Sequence, residues 1–284
     1  MATARISLYR RITDRAASLA AILCAILVIA PLLAVFGYLL VKGLGSVNLA
    51  FLTHTPKPVG EVGGGMANAI IGSLMILGIG SAIGVPLGIG AGIYVSEYGK
   101  GRYSTYVRFT ADVLNGVPSI VIGIAAYALV VLRQGHFSAW SGGIALGIMM
   151  IPTIARTTEE MLLMVPHAIR EAAYGLGIPQ WRSTISIALR TARSGVITGV
   201  MLAFARVAGE TAPLIFTAFG NSFWNLDPNQ PTAALPLQVY VYAISPFDDW
   251  HRQAWAGALI LIVLIVVAVS VVRIATRKGR FSGA

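Results

Sequence analysis

Arg206 and Glu210 stand four residues apart within residues 195–219, a stretch otherwise apolar enough to be one membrane helix. That spacing puts both side chains on one helical face. A charge near the bilayer centre costs roughly 2.5–3.5 kcal/mol on insertion scales, so such residues turn towards a protein interior or a water-filled cavity. Two chemistries follow: an internal salt bridge that fixes packing, or polar groups lining a path, where they could serve ion coupling. A second candidate is Asn115-Gly116-Val117-Pro118-Ser119. Pro118 removes a backbone donor, while Asn115 and Gly116 weaken the turn before it, so a helix here is kinked or broken. A broken one leaves a half-helix whose free N–H groups, at Ser119, can face an anion. Asp112, one turn earlier, belongs near the cytoplasmic surface or beside a basic neighbour. The sequence has no Walker A loop, nucleophile elbow or Cys/His cluster, so no catalytic or metal-ligating residue is assigned.

The elements that position these residues are set by composition. With 56% hydrophobic and 11% charged residues and a mean hydropathy of +0.77, the chain is expected to lie in a membrane. A net charge of +10 would suit nucleic acid in a soluble protein; in a membrane protein it reflects basic cytoplasmic loops. Cys24 lies in an apolar run and has no second cysteine to pair with.

The apolar runs predict an all-α polytopic protein with six transmembrane helices. A basic tail (residues 1–15) precedes helix one at 16–41, which exceeds the roughly 7–15 apolar residues of a cleaved signal peptide and is therefore retained. After a Gly-rich linker comes the main transmembrane domain, residues 66–274. It holds helix two at 66–95, three at 107–132, four at 138–155, five at 195–219 and six at 254–274, and a tail at 275–284 follows. Gly84 and Gly88 have the Gly-x-x-x-Gly spacing that lets helices approach closely, here against a homologous subunit. Within the aromatic loop 221–253, residues 235–244 are suited to dip into the membrane or lie on it.

Basic residues orient this topology. With the N- and C-termini cytoplasmic, the inner side holds both tails, Lys100, Arg102, Arg108 and the arginines at 156, 170, 182, 190 and 193; only Lys42, Lys57, Arg133 and Arg252 fall outside. The loop 156–193 is then cytoplasmic and must meet something soluble. It reads as two short coupling helices. Thr157 and Glu160 have the spacing of a capping box at the first. Pro166 suits the start of the second, and Gly175 or Gly177 before Pro179 suits its end.

This loop carries a family resemblance. Glu171-Ala172-Ala173, three residues, Gly177, nine residues, Ile187, one residue and Leu189 match the EAA loop of ABC importer permeases. Flanking stretches, Arg156-Thr157-Thr158-Glu159-Glu160 and Arg206-Val207-Ala208-Gly209-Glu210-Thr211-Ala212-Pro213, resemble the phosphate permeases of that family, from about Asn68 through Asp248-Asp249-Trp250. One departure is Arg190, where the family usually has proline; it implies a less kinked exit or one tied to lipid phosphates.

The resemblance implies a multi-pass permease of the bacterial inner (plasma) membrane, serving ATP-driven phosphate import without being an enzyme. It also implies a second permease, an ATPase dimer holding ATP and Mg, and an extracytoplasmic phosphate-binding protein; this chain itself would need no cofactor and no nucleic acid. Arg170, Glu171, Ala172, Ala173, Gly175 and Gly177 would couple to the ATPase. Arg206 becomes a transient anion contact whose planar fork Glu210 holds in place, unless Glu210 pairs with the partner permease. Thr211 shapes the local bend, Asn115 and Ser119 line the path, and Arg156 is a second anion contact or an interfacial arginine. A permease for another oxyanion, such as sulfate or molybdate, and a secondary transporter are the alternatives. The latter has no use for a cytoplasmic helical elbow.

Overall fold

A backbone in lipid must satisfy its own polar groups, and the chain does so by being almost wholly helical. The computed structural model describes residues 8–278 except 59, 60, 62 and 100; Arg5, Lys100 and Arg280, assigned above to the inner side, lie outside them. Helix α1, Leu8–Leu44, begins well before the expected residue 16, so part of the basic tail is helical. It packs along the last helix, where Tyr38 meets Trp255 edge-on at 5.1 Å. A short α2, Leu49–Thr53, is capped by Asn48, whose side chain accepts from the Phe51 amide.

Two helices form the centre. Helix α3, Ala67–Tyr98, includes the expected helix two and ends in a wide π turn. Helix α6, Ala139–Leu163, lies against it. A Cβ at Gly84 would fall 2.8 Å from the Met150 Cβ, and one at Gly88 2.7 Å from the Ile154 Cβ. These glycines are therefore consumed inside the chain, correcting the expectation that they meet a homologous subunit. Lipid tails are as apolar as leucine, so such an interface is held by close van der Waals contact rather than by exclusion of water. The tightness leaves Leu146, Met150 and Ile154 at 1% exposure or less.

The expected helix three is two helices. Arg102–Gly116 (α4) and Ser119–Gln134 (α5) meet at an angle of 107°. Val117 is extended (φ −70°, ψ 131°), as sterics demand of a residue preceding proline, and Pro118 opens α5 without an N–H to donate. The result is a break rather than a kink.

Helix α6 also corrects the reading of the loop after it. It begins at a capping box formed by Ser138 and Ser141 and continues past the expected end at residue 155 to Leu163. Thr157 lies inside it, its hydroxyl donating to the Thr153 and Ile154 carbonyls. Thr157 and Glu160 therefore start no helix, and a single free-standing short helix, α7, His167–Gly175, separates α6 from the next long one. That long helix, α8, spans Gln180–Ala208 with a π stretch at Thr184–Ala188 and runs on through Arg190. It starts earlier and stops earlier than the expected 195–219. Short helices α9, Ala212–Ile215, and α10, Leu235–Ala243, follow, the latter packed on α3 and on α11, Asp248–Lys278. Asp248 and Asp249 occupy the first turn of α11, where the helix dipole favours negative charge.

Among the described residues four helices, α1, α3, α8 and α11, are long and apolar enough to cross a membrane, and the bent α4–α5 pair makes up to five. Helix α6 is not among them.

Candidate functional site

The loop between α6 and α8 is built around one largely enclosed arginine, Arg170. Pro166 opens α7. At the other end Gly177 takes the left-handed conformation (φ +73°), and the Ile178 and Gly177 amides donate to Ala173 and Tyr174 at 3.1 and 2.9 Å. This is a Schellman closure, which needs a residue without Cβ strain at that position; Gly177 fills it, whereas Gly175 is the last helical residue. Arg170 turns inward. Its guanidinium donates to Glu97 at 2.6 Å and to the Val165 and Leu162 carbonyls at 2.6 and 2.8 Å. The side chains are 11% and 5% exposed. It thereby meets the Val165 carbonyl just past α6, adds a second donor to the Leu162 carbonyl that already accepts from the Val165 amide, and locks α7 to the end of α3. Arg170 is thus a bracing residue, not part of an outward coupling surface. The outward surface is different: Glu171, Ala172 and Tyr174 are exposed, flanked by Met164, Leu176 and Trp181 at 74, 80 and 61%. Ala173 is buried beneath them.

Arg156 is likewise committed. Its guanidinium donates two hydrogen bonds of 2.7 Å to Asp112 and one of 3.2 Å to Glu159, and Glu159 in turn accepts from Arg108 at 2.5 Å. Two cations and two carboxylates, one of each on α4 and on α6, make a neutral network. Both readings of Arg156, as an anion contact or as a headgroup-reaching arginine, give way to this geometry; the basic neighbour expected for Asp112 is Arg156. Asn115, next to the break, accepts from the Thr153 hydroxyl at 3.0 Å, while Ser119 begins α5. The sequence missed Glu97 and Glu159. Nothing in the residues around either acid singles it out, and only the fold names their partners.

Arg206 and Glu210 differ in kind. Helix α8 ends at Ala208, so Glu210 lies beyond it and the two do not share a helical face as expected. Neither makes an ion pair among the described residues. Arg206 is exposed and Glu210 half-buried. Arg206 stands thirteen residues, about 20 Å of helix rise, beyond Arg193, the previous basic residue of the chain. One face of α8, Ala192, Val196, Gly199, Ala203 and Val207, is buried. Along the other, Arg190, Ser194, Thr198, Leu202 and Arg206 follow in steps of four, all exposed. Thr211, just after the helix, donates to the Pro236 carbonyl at 3.4 Å.

On the loop side opposite α7 there is also a cavity of about 600 Å³ lined by Lys57, Phe219, Phe223, Gln238, Tyr242 and Trp250, among others. Burial pushes the Tyr242 phenol up from its ordinary value, which keeps it neutral.

Known proteins resemble this chain in sequence and in fold. The family model described as binding-protein-dependent transport system inner membrane component matches residues 84–280. Phosphate transport system permease protein PstA of Yersinia pestis is 45% identical over 240 residues, 84% of this chain and 81% of that one. The PstA of Haemophilus influenzae is 47% identical over 235 residues, 82% of each. In fold, the chain matches one from the MetNI methionine ABC transporter, solved in inward facing conformations, at a TM-score of 0.55 and 17% identity, over 75% of this chain and 94% of that. With several apolar helices, a family model spanning most of its length and relatives at this identity, the chain is a multi-pass inner-membrane permease that belongs to the family of binding-protein-dependent transport system inner membrane components.

Proposed function

We propose that this chain is one of two permease subunits in an ATP-driven importer of inorganic phosphate. The observation that carries the reading is the 45–47% identity, over four fifths of the chain, to permeases named for phosphate transport. In this reading α6 is a sixth span: at 25 residues it extends for about 37 Å, and its many small residues serve packing against protein rather than lipid. Both termini and α7 lie in the cytoplasm, a placement supported by the charge bias of the loops.

The parts then have roles. A separate ATPase dimer, which binds the ATP and Mg, closes on the exposed surface around Glu171, Ala172, Tyr174 and Leu176. Arg170, clamped to Glu97 and to the end of α6, makes α7 move as one body with α3 and α6. Because α7 leads through Gly177 and Pro179 directly into α8, that motion reorients the exposed stripe from Arg190 to Arg206. A stripe bearing Ser194, Thr198 and Arg206 is unsuited to lipid, where an unmatched charge is costly; it suits the face towards the second permease, where the passage forms. There Arg206 offers its five-donor fork to phosphate delivered by an extracytoplasmic binding protein. Glu210, near it but not paired with it, either orients the fork once the partner is present or pairs across to that partner.

Uptake of radiolabelled phosphate into proteoliposomes holding the assembled complex tests the reading. It should require ATP and survive an excess of sulfate or molybdate; preference for either competitor, or flux without nucleotide, overturns it. Glu171→Lys should leave the permease folded but separate ATP hydrolysis from uptake; unchanged uptake with unchanged ATPase association would remove Glu171 from the coupling surface.

A further inference from the structure

Helix α4 carries a face that neither the passage nor the coupling surface uses. At about 100° of rotation per residue, its fifteen residues, Arg102–Gly116, divide into three arcs. Ser104 and Ala111 are buried, at 1% and 7%, with Val107 half-buried beside them; this arc packs on α6 and on the end of α3. Thr105 and Asp112 form an exposed polar arc, with Asp112 held by Arg156. Between the two, Tyr103, Tyr106, Phe109 and Val113 are 77, 65, 66 and 48% exposed and lie within an arc of roughly 120°. No described element covers them.

We infer that this aromatic arc rests in the headgroup–acyl boundary of the membrane leaflet next to α7, making α4 an in-plane interfacial helix. Orientation is the first support. Helix α5 is half of a candidate span, and α4 meets it at 107°, so when α5 crosses the bilayer α4 runs close to the plane of its surface. The second is chemistry: tyrosine and phenylalanine are the side chains that gather at that depth, with an apolar body and, in tyrosine, a wet tip. Arg102, exposed at the first turn, has the reach to place its charge among headgroups. The third is the division of one helix into a buried arc, an exposed polar arc and an exposed aromatic arc. Protein on one side, water on another and lipid on the third is what a helix at the edge of a membrane protein's surface meets. The network joining Arg108 and Asp112 to Glu159 and Arg156 then ties α6 to an element fixed at the membrane surface. This inference rests on the multi-pass reading and is independent of the substrate.

Site-directed spin labelling of the full chain in lipid nanodiscs tests it. In a Cys24→Ser background, Tyr106→Cys, Phe109→Cys, Thr105→Cys and Val267→Cys are each labelled with a nitroxide. Relaxation by oxygen, which partitions into lipid, is compared with relaxation by a water-soluble nickel chelate. Labels at 106 and 109 should be relaxed several-fold more by oxygen than by nickel, like the control at Val267, which is 54% exposed on α11; the label at 105 should show the reverse. If 106 and 109 match 105 while Val267 reports lipid, the inference fails and the multi-pass reading stands. If Val267 also reports water, both fail. Protection of 106 and 109 that appears only on adding the ATPase would assign the arc to that protein and likewise overturn the inference.

Discussion

The two ends of α8 handle charge in opposite ways. Near its start, the two arginines drawn towards the interior have internal partners: Arg170 with Glu97, and Arg156 with Asp112 and Glu159. In its last turn and just past it, Arg206 and Glu210 have none among the described residues. A buried charge without a partner is costly, so matched charges at the first end make a rigid block. At the second end the same cost argues that the partner arrives from outside this chain. In the proposed importer, charge that is internally neutralised transmits force, and charge left open recognises phosphate or the second permease.

The contrast is sharpest where a matched pair is broken. Arg170→Ala leaves Glu97, 5% exposed, without its cation and takes a donor from the Val165 carbonyl. Removing one partner of such a pair costs about 3–5 kcal/mol, so the yield of folded protein and its unfolding temperature in detergent should fall steeply. A variant of near wild-type stability would mean the clamp is not structural. Arg206→Gln should behave conversely: assembly and thermal stability unchanged, phosphate uptake per assembled complex reduced. A charge-assisted hydrogen bond is worth about 1.5–3 kcal/mol, or roughly 10- to 100-fold. Undiminished uptake would reduce Arg206 to a packing residue and dissolve the comparison. Glu159→Gln takes one carboxylate from between two arginines. Because Arg156 keeps Asp112, the loss should be smaller, about 1–3 kcal/mol in unfolding measurements. Asp112→Asn should matter least, since its side chain is 53% exposed and such pairs are worth about 0.2–1 kcal/mol. A loss larger than that of Glu159→Gln would show that the network is anchored from α4 instead of from α6.

Much of this was legible in the residues. Gly177 announced a helix end because few other side chains tolerate its backbone angle, and Pro118 announced a discontinuity because it has no amide to give. Apolar runs located α1, α3 and α11, although each proved longer than expected: a helix does not stop where lipid stops if its amides remain bonded. The capping box at Thr157 and Glu160 was misleading. That spacing is also two positions on one face of an uninterrupted helix, and α6 has no reason to end while Thr158 and Glu159 are buried against its neighbours. Arg206 was singled out as a charge in an apolar stretch, but its supposed mate at Glu210 assumed a longer helix, and the helix ends at Ala208.

Composition and spacing thus determined that the chain is a bundle of membrane helices with a structured basic loop, because hydropathy, glycine and proline act through local physics that needs no neighbours. Which charges pair, which glycines face inward and how sharply the chain turns at Pro118 were decided only in three dimensions. Glu97 and Arg170 are 73 residues apart along the chain, and Arg108 and Glu159 are 51 apart. No local pattern records such contacts, since they exist only after helices distant in sequence have packed and shut out water.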